Sequence, residues 1–171
     1  LERIIAMIRE TIQVSRRISA NLHPAILEDL GVVPAIEWSC RRFQEVYSGI
    51  SVEKNLEAEE SRVPQKLKVV IYRLLQEGLN NIAKHSGATR VRVSLYASQG
   101  EITFAVEDNG SGFDIETAGA GPKSERGMGL ATMRERTQMT GGLFRILSRR
   151  GAGTKIRFVW PREIVQESLK R

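Results

Sequence analysis

Ile102-Thr103-Phe104-Ala105-Val106-Glu107-Asp108-Asn109-Gly110-Ser111-Gly112-Phe113-Asp114 runs from an alternating apolar pattern straight into a glycine loop. Ile102, Phe104 and Val106 alternate with polar or small residues, which predicts a strand with one buried face. Upstream, Val91, Val93 and Leu95 alternate in the same way, and Ser98-Gln99-Gly100 between the two runs predicts a tight turn. The pair is a hairpin, so its strands are antiparallel neighbours and the chain is not a simple βαβ alternation. The loop from Asp108 to Asp114 is longer than a plain hairpin turn requires. Gly110 and Gly112 free the backbone N–H groups from Cβ obstruction, and Asp108 at the strand end can accept a hydrogen bond from an exocyclic amine. A calcium loop of the EF-hand type is excluded, because Gly110 and Gly112 stand where Asp or Asn should supply oxygens.

Moving toward the N-terminus, Leu67, Val70, Ile71, Leu74, Leu75, Leu79 and Ile82 recur at helical spacing and predict a helix from Pro64 to His85. Glu77 and Asn81 are four residues apart and share one of its faces; Asn80 and Lys84 share a neighbouring line. Lys68, Arg73 and Gln76 keep the outer side polar. Gly78 costs a helix interior roughly 1 kcal/mol relative to alanine, which points to a close approach at that position. Ile36, Cys40, Phe43 and Tyr47 step by helical intervals within a helix from Val33 to Tyr47, which makes Cys40 a small buried hydrophobe. Ile50, Val52 and Leu56 mark a short strand, followed by a polar connector from Glu57 to Arg62. An apolar stripe of Leu1, Ile4, Ile5, Ile8, Ile12, Ile18 and Leu22 predicts an amphipathic helix that needs a partner, broken near Pro24.

Moving toward the C-terminus, Glu125-Arg126-Gly127-Met128-Gly129-Leu130 opens a helix expected from Gly129 to Met139 and stopped at Gly141-Gly142. Glycines at a loop-to-helix junction make an anion site from free N–H groups and the helix dipole. The segment is neither a P-loop nor a dinucleotide fingerprint. Gly119-Ala120-Gly121-Pro122 up to Arg126 reads as a mobile lid. A last hairpin joins Leu143–Ser148 to Thr154–Trp160 through a turn ending in Gly151-Ala152-Gly153-Thr154. The sum is an α+β, two-layer α/β sandwich: a mixed sheet with helices packed on one face.

Composition narrows the function classes. With 41% hydrophobic and 27% charged residues the chain of 171 buries a core, and 6% aromatics make that core aliphatic. A single cysteine excludes a disulfide framework or a cysteine-based metal knuckle. No run approaches the roughly 20 apolar residues of a membrane helix, and there is no signal-peptide pattern. The net charge of +6 arises from residues 145–171, with eight basic against two acidic residues; the first 144 balance. That strip has no aromatic stacking platform, so no nucleic-acid partner is expected. The chain starts at leucine and reads as a piece of a longer protein.

The four motifs in their order are specific as a set. Glu77/Asn81 on a helix, Asp-x-Gly-x-Gly at 108–112, Gly-x-Gly-Leu at 127–130 and Gly153-Thr154 resemble the four boxes of the ATPase superfamily that joins gyrase, Hsp90, histidine kinases and MutL. The resemblance covers about Val33 to Trp160 and implies a Bergerat-type ATP-binding fold. Asn81-Ile82-Ala83-Lys84-His85-Ser86, the run from Gly127 to Arg136, and Leu22-His23-Pro24 with Asp29-Leu30-Gly31 resemble sensor histidine kinases of the nitrate- and desaturase-sensor type. The short, F-box-free loop between Phe113 and Gly127 does too. The resemblance implies the end of a dimerisation helix at 1–22, a linker at 23–32, the ATP-binding catalytic domain at 33–161 and a tail at 162–171.

On this resemblance Asn81 supplies an oxygen to Mg²⁺, with Asn80 as the alternative by one residue, and Glu77 polarises the attacking group. Lys84 reaches a phosphate, Asp108 reads adenine, and Gly110 and Gly112 admit the base. Gly127 and Gly129 bring N–H groups to the phosphates, Leu130 is a further ATP-binding residue, and Thr154 sits beside the adenine through Asp108 or a water. The implied activity is transfer of the ATP γ-phosphate to a histidine and relay to a response regulator, in a cytoplasmic domain of a homodimer whose membrane contact would run through upstream segments. Neither His23 nor His85 stands in the family's acceptor motif, so the chain alone is not expected to phosphorylate itself. Another ATPase or an anti-sigma serine kinase of the superfamily is the alternative.

Overall fold

The computed structural model describes residues 25–98, 100–115 and 125–161. The expected first helix at 1–22, the lid residues 119–124 and the tail at 162–171 lie outside them. In chain order the elements are α1 (Ala25–Asp29), α2 (Val32–Val46), β1 (Ser51–Glu57), a 3₁₀ turn (Glu60–Arg62), α3 (Gln65–His85), β2 (Arg90–Ala97), β3 (Glu101–Asp108), α4 (Glu125–Met139), β4 (Leu143–Ser148) and β5 (Thr154–Pro161).

The five strands form one sheet in the order β1-β2-β3-β5-β4. β1 runs parallel to β2, pairing Ser51 with Arg90 through Glu57 with Tyr96. Such a pair needs a long crossover, which α3 provides. The other pairs are antiparallel, so the sheet is mixed, as expected. Alternation along the strands sends Val91, Val93, Leu95, Ile102, Phe104, Val106, Ile156, Phe158 and Trp160 into the core. There they meet Ile36 and Cys40 of α2, Leu74, Leu75 and Leu79 of α3, and Met133 of α4. The opposite face is polar: Arg92 pairs with Glu53, Lys155 with Glu107 and Arg157 with Glu101. Two of the basic residues of the 145–171 strip are therefore matched by acids within the sheet. Burial pushes the Cys40 thiol up to about 12, so it is a packed apolar group and no nucleophile at neutral pH.

Two features depart from the expectations. Ala25–Asp29, inside the expected linker, is a turn of helix anchored by the buried Leu27. α4 starts at Glu125, four residues before the expected Gly129; helical packing overrides the poor propensity of two glycines.

Gly31 shows how the first helices are fixed. It precedes α2 with φ 96°, a conformation that favours glycine, and offers no side-chain cap. Glu60 supplies the cap from the distant 3₁₀ turn. Its Oε1 accepts the Val32 N–H at 2.8 Å and its Oε2 the Val33 N–H at 3.0 Å. Lys68 Nζ closes the arrangement 2.7 Å from Oε1. A Cβ on Gly31 would collide with the Glu60 carboxylate. Burial alone would push the Glu60 carboxyl up, but Lys68 and the two N–H groups outweigh it and hold the group below the usual carboxylate range. A carboxyl lowered on folding stabilises above its unfolded pKa, and that stabilisation is lost as pH falls through the folded value. Glu60→Ala is expected to cost about 1–2 kcal/mol at neutral pH, the scale of a lost helix cap. Denaturant unfolding should show this difference shrinking in acid; a pH-independent difference would contradict the ionic cap.

Candidate functional site

A pocket opens where α3, α4, the end of β3 and the start of β5 meet. It is lined by Gly78, Asn81, Ile82, His85, Ser86, Val106, Asp108, Ser111, Gly112, Phe113, Leu130, Thr154 and Ile156. Its floor is aliphatic, from Ile82, Val106 and Ile156, and its polar groups are few.

Asp108 ends β3 directly opposite Thr154 of β5. Its Oδ1 accepts the Gly110 N–H at 2.8 Å. Burial pushes the Asp108 carboxyl above its ordinary range, and the N–H groups of Gly110 and Thr154 pull it only part of the way back. The loop after it is fastened on two sides. Asn109 Oδ1 accepts the N–H groups of Thr89 and Arg90, at 3.0 and 2.9 Å, and the Ser111 N–H donates to the Ser86 carbonyl at 2.7 Å. On the other side Gly151 N–H donates to the Ser111 carbonyl at 2.7 Å.

The glycines have a packing role beside the expected one. They were expected to bring backbone to a ligand, yet their missing side chains first serve loop packing. A Cβ on Gly110 would collide with the Ser86 carbonyl, and one on Gly112 (φ 56°) with the carbonyl of Arg149 in the β4–β5 turn. A Cβ on Gly153 would strike the Asp108 carbonyl. The aspartate loop and the last hairpin turn are thus seated backbone against backbone. Gly112 lines the pocket, whereas Gly110 holds Asp108 from beside it.

On α3, Asn81 lines the pocket and Asn80 is exposed, so the helix face separates the two. Gly78 lies against Val106, 3.4 Å from its methyl groups to a notional Cβ, which is the close approach the sequence implied. Across from α3, a Cβ on Gly129 would collide with Glu77 Oε1 and sit 3.4 Å from the Asn81 amide. Glu77 and Asn81 therefore converge on the backbone of α4, through a gap that only glycine leaves. Gly129 was expected at a loop-to-helix junction with a free N–H. It lies near the start of α4, beyond the N–H groups that a helix start leaves without an intrahelical acceptor, and Gly127 is among those. Leu130 and Thr154 line the pocket as expected. Lys84 is exposed on α3 and is not among the lining residues.

The Asn81 Nδ2 is buried and has no hydrogen-bond partner among the described residues. Such a group costs about 1–3 kcal/mol unless a ligand satisfies it. A phosphate oxygen would accept from it; a half-turn of the amide would present Oδ1 to a cation instead. Among the described residues no three His, Cys, Asp or Glu side chains cluster to hold a metal ion. The donor set fits a hard cation that takes one or two protein oxygens and completes its shell with phosphates and water, as Mg²⁺ does. Ser86, Ser111, Phe113 and Ile156 were not anticipated as lining residues: Ile156 carried only a strand signal, and the others sit beside motifs without motif chemistry of their own.

The family of histidine kinase-, DNA gyrase B- and HSP90-like ATPases matches residues 67–164, and the chain belongs to it. It is an ATP-binding domain of that family. Two curated relatives resemble the chain closely enough to be compared along most of its length. The chain is 33% identical to the sensor histidine kinase MctS of Rhizobium johnstonii over 95% of its own length, and 32% identical to the signal transduction histidine-protein kinase/phosphatase DegS of Brevibacillus brevis over 88%. It spans only about a third of each relative, 34% and 37%. Among solved structures, the histidine kinase domain of the Erythrobacter litoralis blue-light activated histidine kinase shares the fold, with a TM-score of 0.60 at 18% identity over 79% of this chain and 63% of that one. The mycobacterial sensor histidine kinase MprB does so with a TM-score of 0.55 at 22% identity, over 75% of this chain and 94% of that one. No described helix is long and apolar enough to cross a membrane.

Proposed function

We propose that this chain is the catalytic piece of a sensor histidine kinase, moving the γ-phosphate of ATP to a histidine on a dimerisation segment for relay to a response regulator. The observation that carries the reading is the buried Asn81 Nδ2, unpartnered among the described residues, at the pocket that Asp108 also lines, in a chain similar to sensor kinases. Asp108 accepts from the adenine amine, with Thr154 beside it, and the aliphatic floor takes the base. Gly110 and Gly112 keep the Asp108 loop in register. Asn81 holds Mg²⁺, which when bound neutralises charge on the phosphate oxygens. Glu77, one turn earlier, orients or deprotonates the attacking group. Gly127 directs a free N–H of the α4 N-terminus at the phosphates, while Gly129 and Leu130 keep that end of α4 against the site. Lys84 reaches a phosphate from the exposed side of α3. Phosphoryl transfer asks mainly for positioning and charge neutralisation, and these groups supply both.

Asn81→Ala is expected to weaken ATP-analogue binding with Mg²⁺ at least tenfold more than without it, and Asn80→Ala to leave both unchanged. One well-aligned ligand interaction at a desolvated site is worth that factor. Calorimetry in Mg²⁺ and in chelator distinguishes the two. If Asn80→Ala shows the Mg²⁺-dependent loss instead, the metal role belongs to the neighbouring residue.

A further inference from the structure

Ser148 ends β4, outside the pocket lining, yet its hydroxyl touches three parts of the site. Its Oγ accepts the Phe113 N–H at 2.9 Å, donates to the Gly153 carbonyl at 3.1 Å and lies 3.0 Å from Thr154 Oγ1. A serine hydroxyl has one proton and two lone pairs. The Gly153 carbonyl can only accept, so it takes the proton. The Phe113 N–H can only donate, so it takes one lone pair. What remains toward Thr154 is a lone pair, so Thr154 must be the donor in that contact. The single Thr154 proton is thereby spent away from the pocket, and toward the pocket Thr154 offers only lone pairs. Directly opposite in the β3–β5 register stands Asp108, whose ionised carboxylate is likewise only an acceptor.

We infer that Ser148 is a positioning residue for base selection: by consuming the Thr154 proton it makes the pocket wall acceptor-only, so that a 6-aminopurine is taken and a 6-oxopurine refused. At the 6-position the amine of adenine donates to such a wall, whereas the oxygen of hypoxanthine or guanine would meet lone pairs with no proton between. Ser148 acts only through Thr154 and through the loop it ties at Phe113. The inference rests on the nucleotide-binding reading above.

The test compares ADP with IDP, which differ at the 6-position and in the proton that IDP carries on N1, by calorimetry on the chain as it stands. The unsubstituted chain should prefer ADP. Ser148→Ala frees the Thr154 proton to point inward, and the ADP/IDP preference should fall about tenfold, one hydrogen bond's worth of discrimination. Ser148→Thr, which keeps a hydroxyl, should retain the preference. Thr154→Val should narrow it as Ser148→Ala does, and adding Ser148→Ala to Thr154→Val should narrow it no further. Equal weakening of ADP and IDP in Ser148→Ala, or an unchanged preference in Thr154→Val, would overturn the inference while leaving nucleotide binding intact. Failure of the unsubstituted chain to bind ADP at all would overturn the nucleotide reading, and this inference with it.

Discussion

Asp108→Ala is expected to lower ADP affinity by roughly 1–3 kcal/mol, about 5- to 150-fold, the largest loss of any single pocket substitution. The wild-type carboxylate is half-buried, held by the Gly110 N–H, and placed at the pocket wall beside Thr154. Its removal takes away the acceptor for the base and also leaves the Gly110 and Thr154 N–H groups looking for new partners. The pH dependence has a definite sign. Burial raises the Asp108 carboxyl, so it takes up its proton at a higher pH than an ordinary carboxylate. ADP binding should therefore weaken on acidification while most surface carboxylates are still ionised, and the Asp108→Ala chain should lack that step. The stability effect runs opposite to that of Glu60: a carboxyl raised on folding contributes most in acid, and that contribution is lost as pH rises through its folded value. Unchanged ADP affinity in Asp108→Ala, by calorimetry on a variant shown to be folded by circular dichroism, would sink the adenine assignment.

What could be read without coordinates was whatever is local. The α3 stripe from Leu67 to Ile82 and the alternations of Val91–Leu95 and Ile102–Val106 are periodic over single elements, and each element formed within a residue or two of its expected bounds. Gly78 could be read as a close approach because a glycine in mid-helix has a known cost, and it does lie on Val106. The remainder depended on distance along the chain. Glu60 caps a helix 28 residues before it, and Ser148 holds an N–H 35 residues before it. Neither partner pair leaves a spacing signature, so both residues read as ordinary polar surface. The glycines were recognisable as a set, but their immediate reason was not. That Gly112 faces the Arg149 carbonyl and Gly129 the Glu77 carboxylate is a property of two elements meeting, and no single element displays it. The start of α4 was placed late for the related reason that propensity penalises Gly127 and Gly129, while contact with α3 and β4 outweighs the penalty.

The second large effect is all-or-none. Incubated with labelled ATP and Mg²⁺, the chain alone should acquire no acid-labile, base-stable phosphate, and an added dimerisation fragment carrying an acceptor histidine should become labelled. His85 lines the pocket, but it lies eight residues beyond Glu77 on the same helix, about 12 Å along the axis at 1.5 Å per residue. On the proposed roles, Glu77 and Asn81 serve the phosphates and Asp108 the base, and the acceptor histidine is expected on another segment. His23, in Leu22-His23-Pro24, follows the apolar stripe and has no acceptor context in sequence. Transfer to another segment requires that segment to dock, and the stripe from Leu1 to Leu22 is the expected surface for it. Ile8→Asp should therefore reduce labelling of the added fragment by an order of magnitude or more while leaving ADP affinity unchanged, because a charge placed in the apolar stripe of the sequence opposes docking and not nucleotide binding. Glu77→Gln should show the same split between transfer and binding for a different reason, the loss of the group that prepares the attacking nitrogen. Labelling of the isolated chain that disappears in His85→Gln or His23→Gln would overturn this assignment of roles, since it would place the acceptor within reach of its own nucleotide.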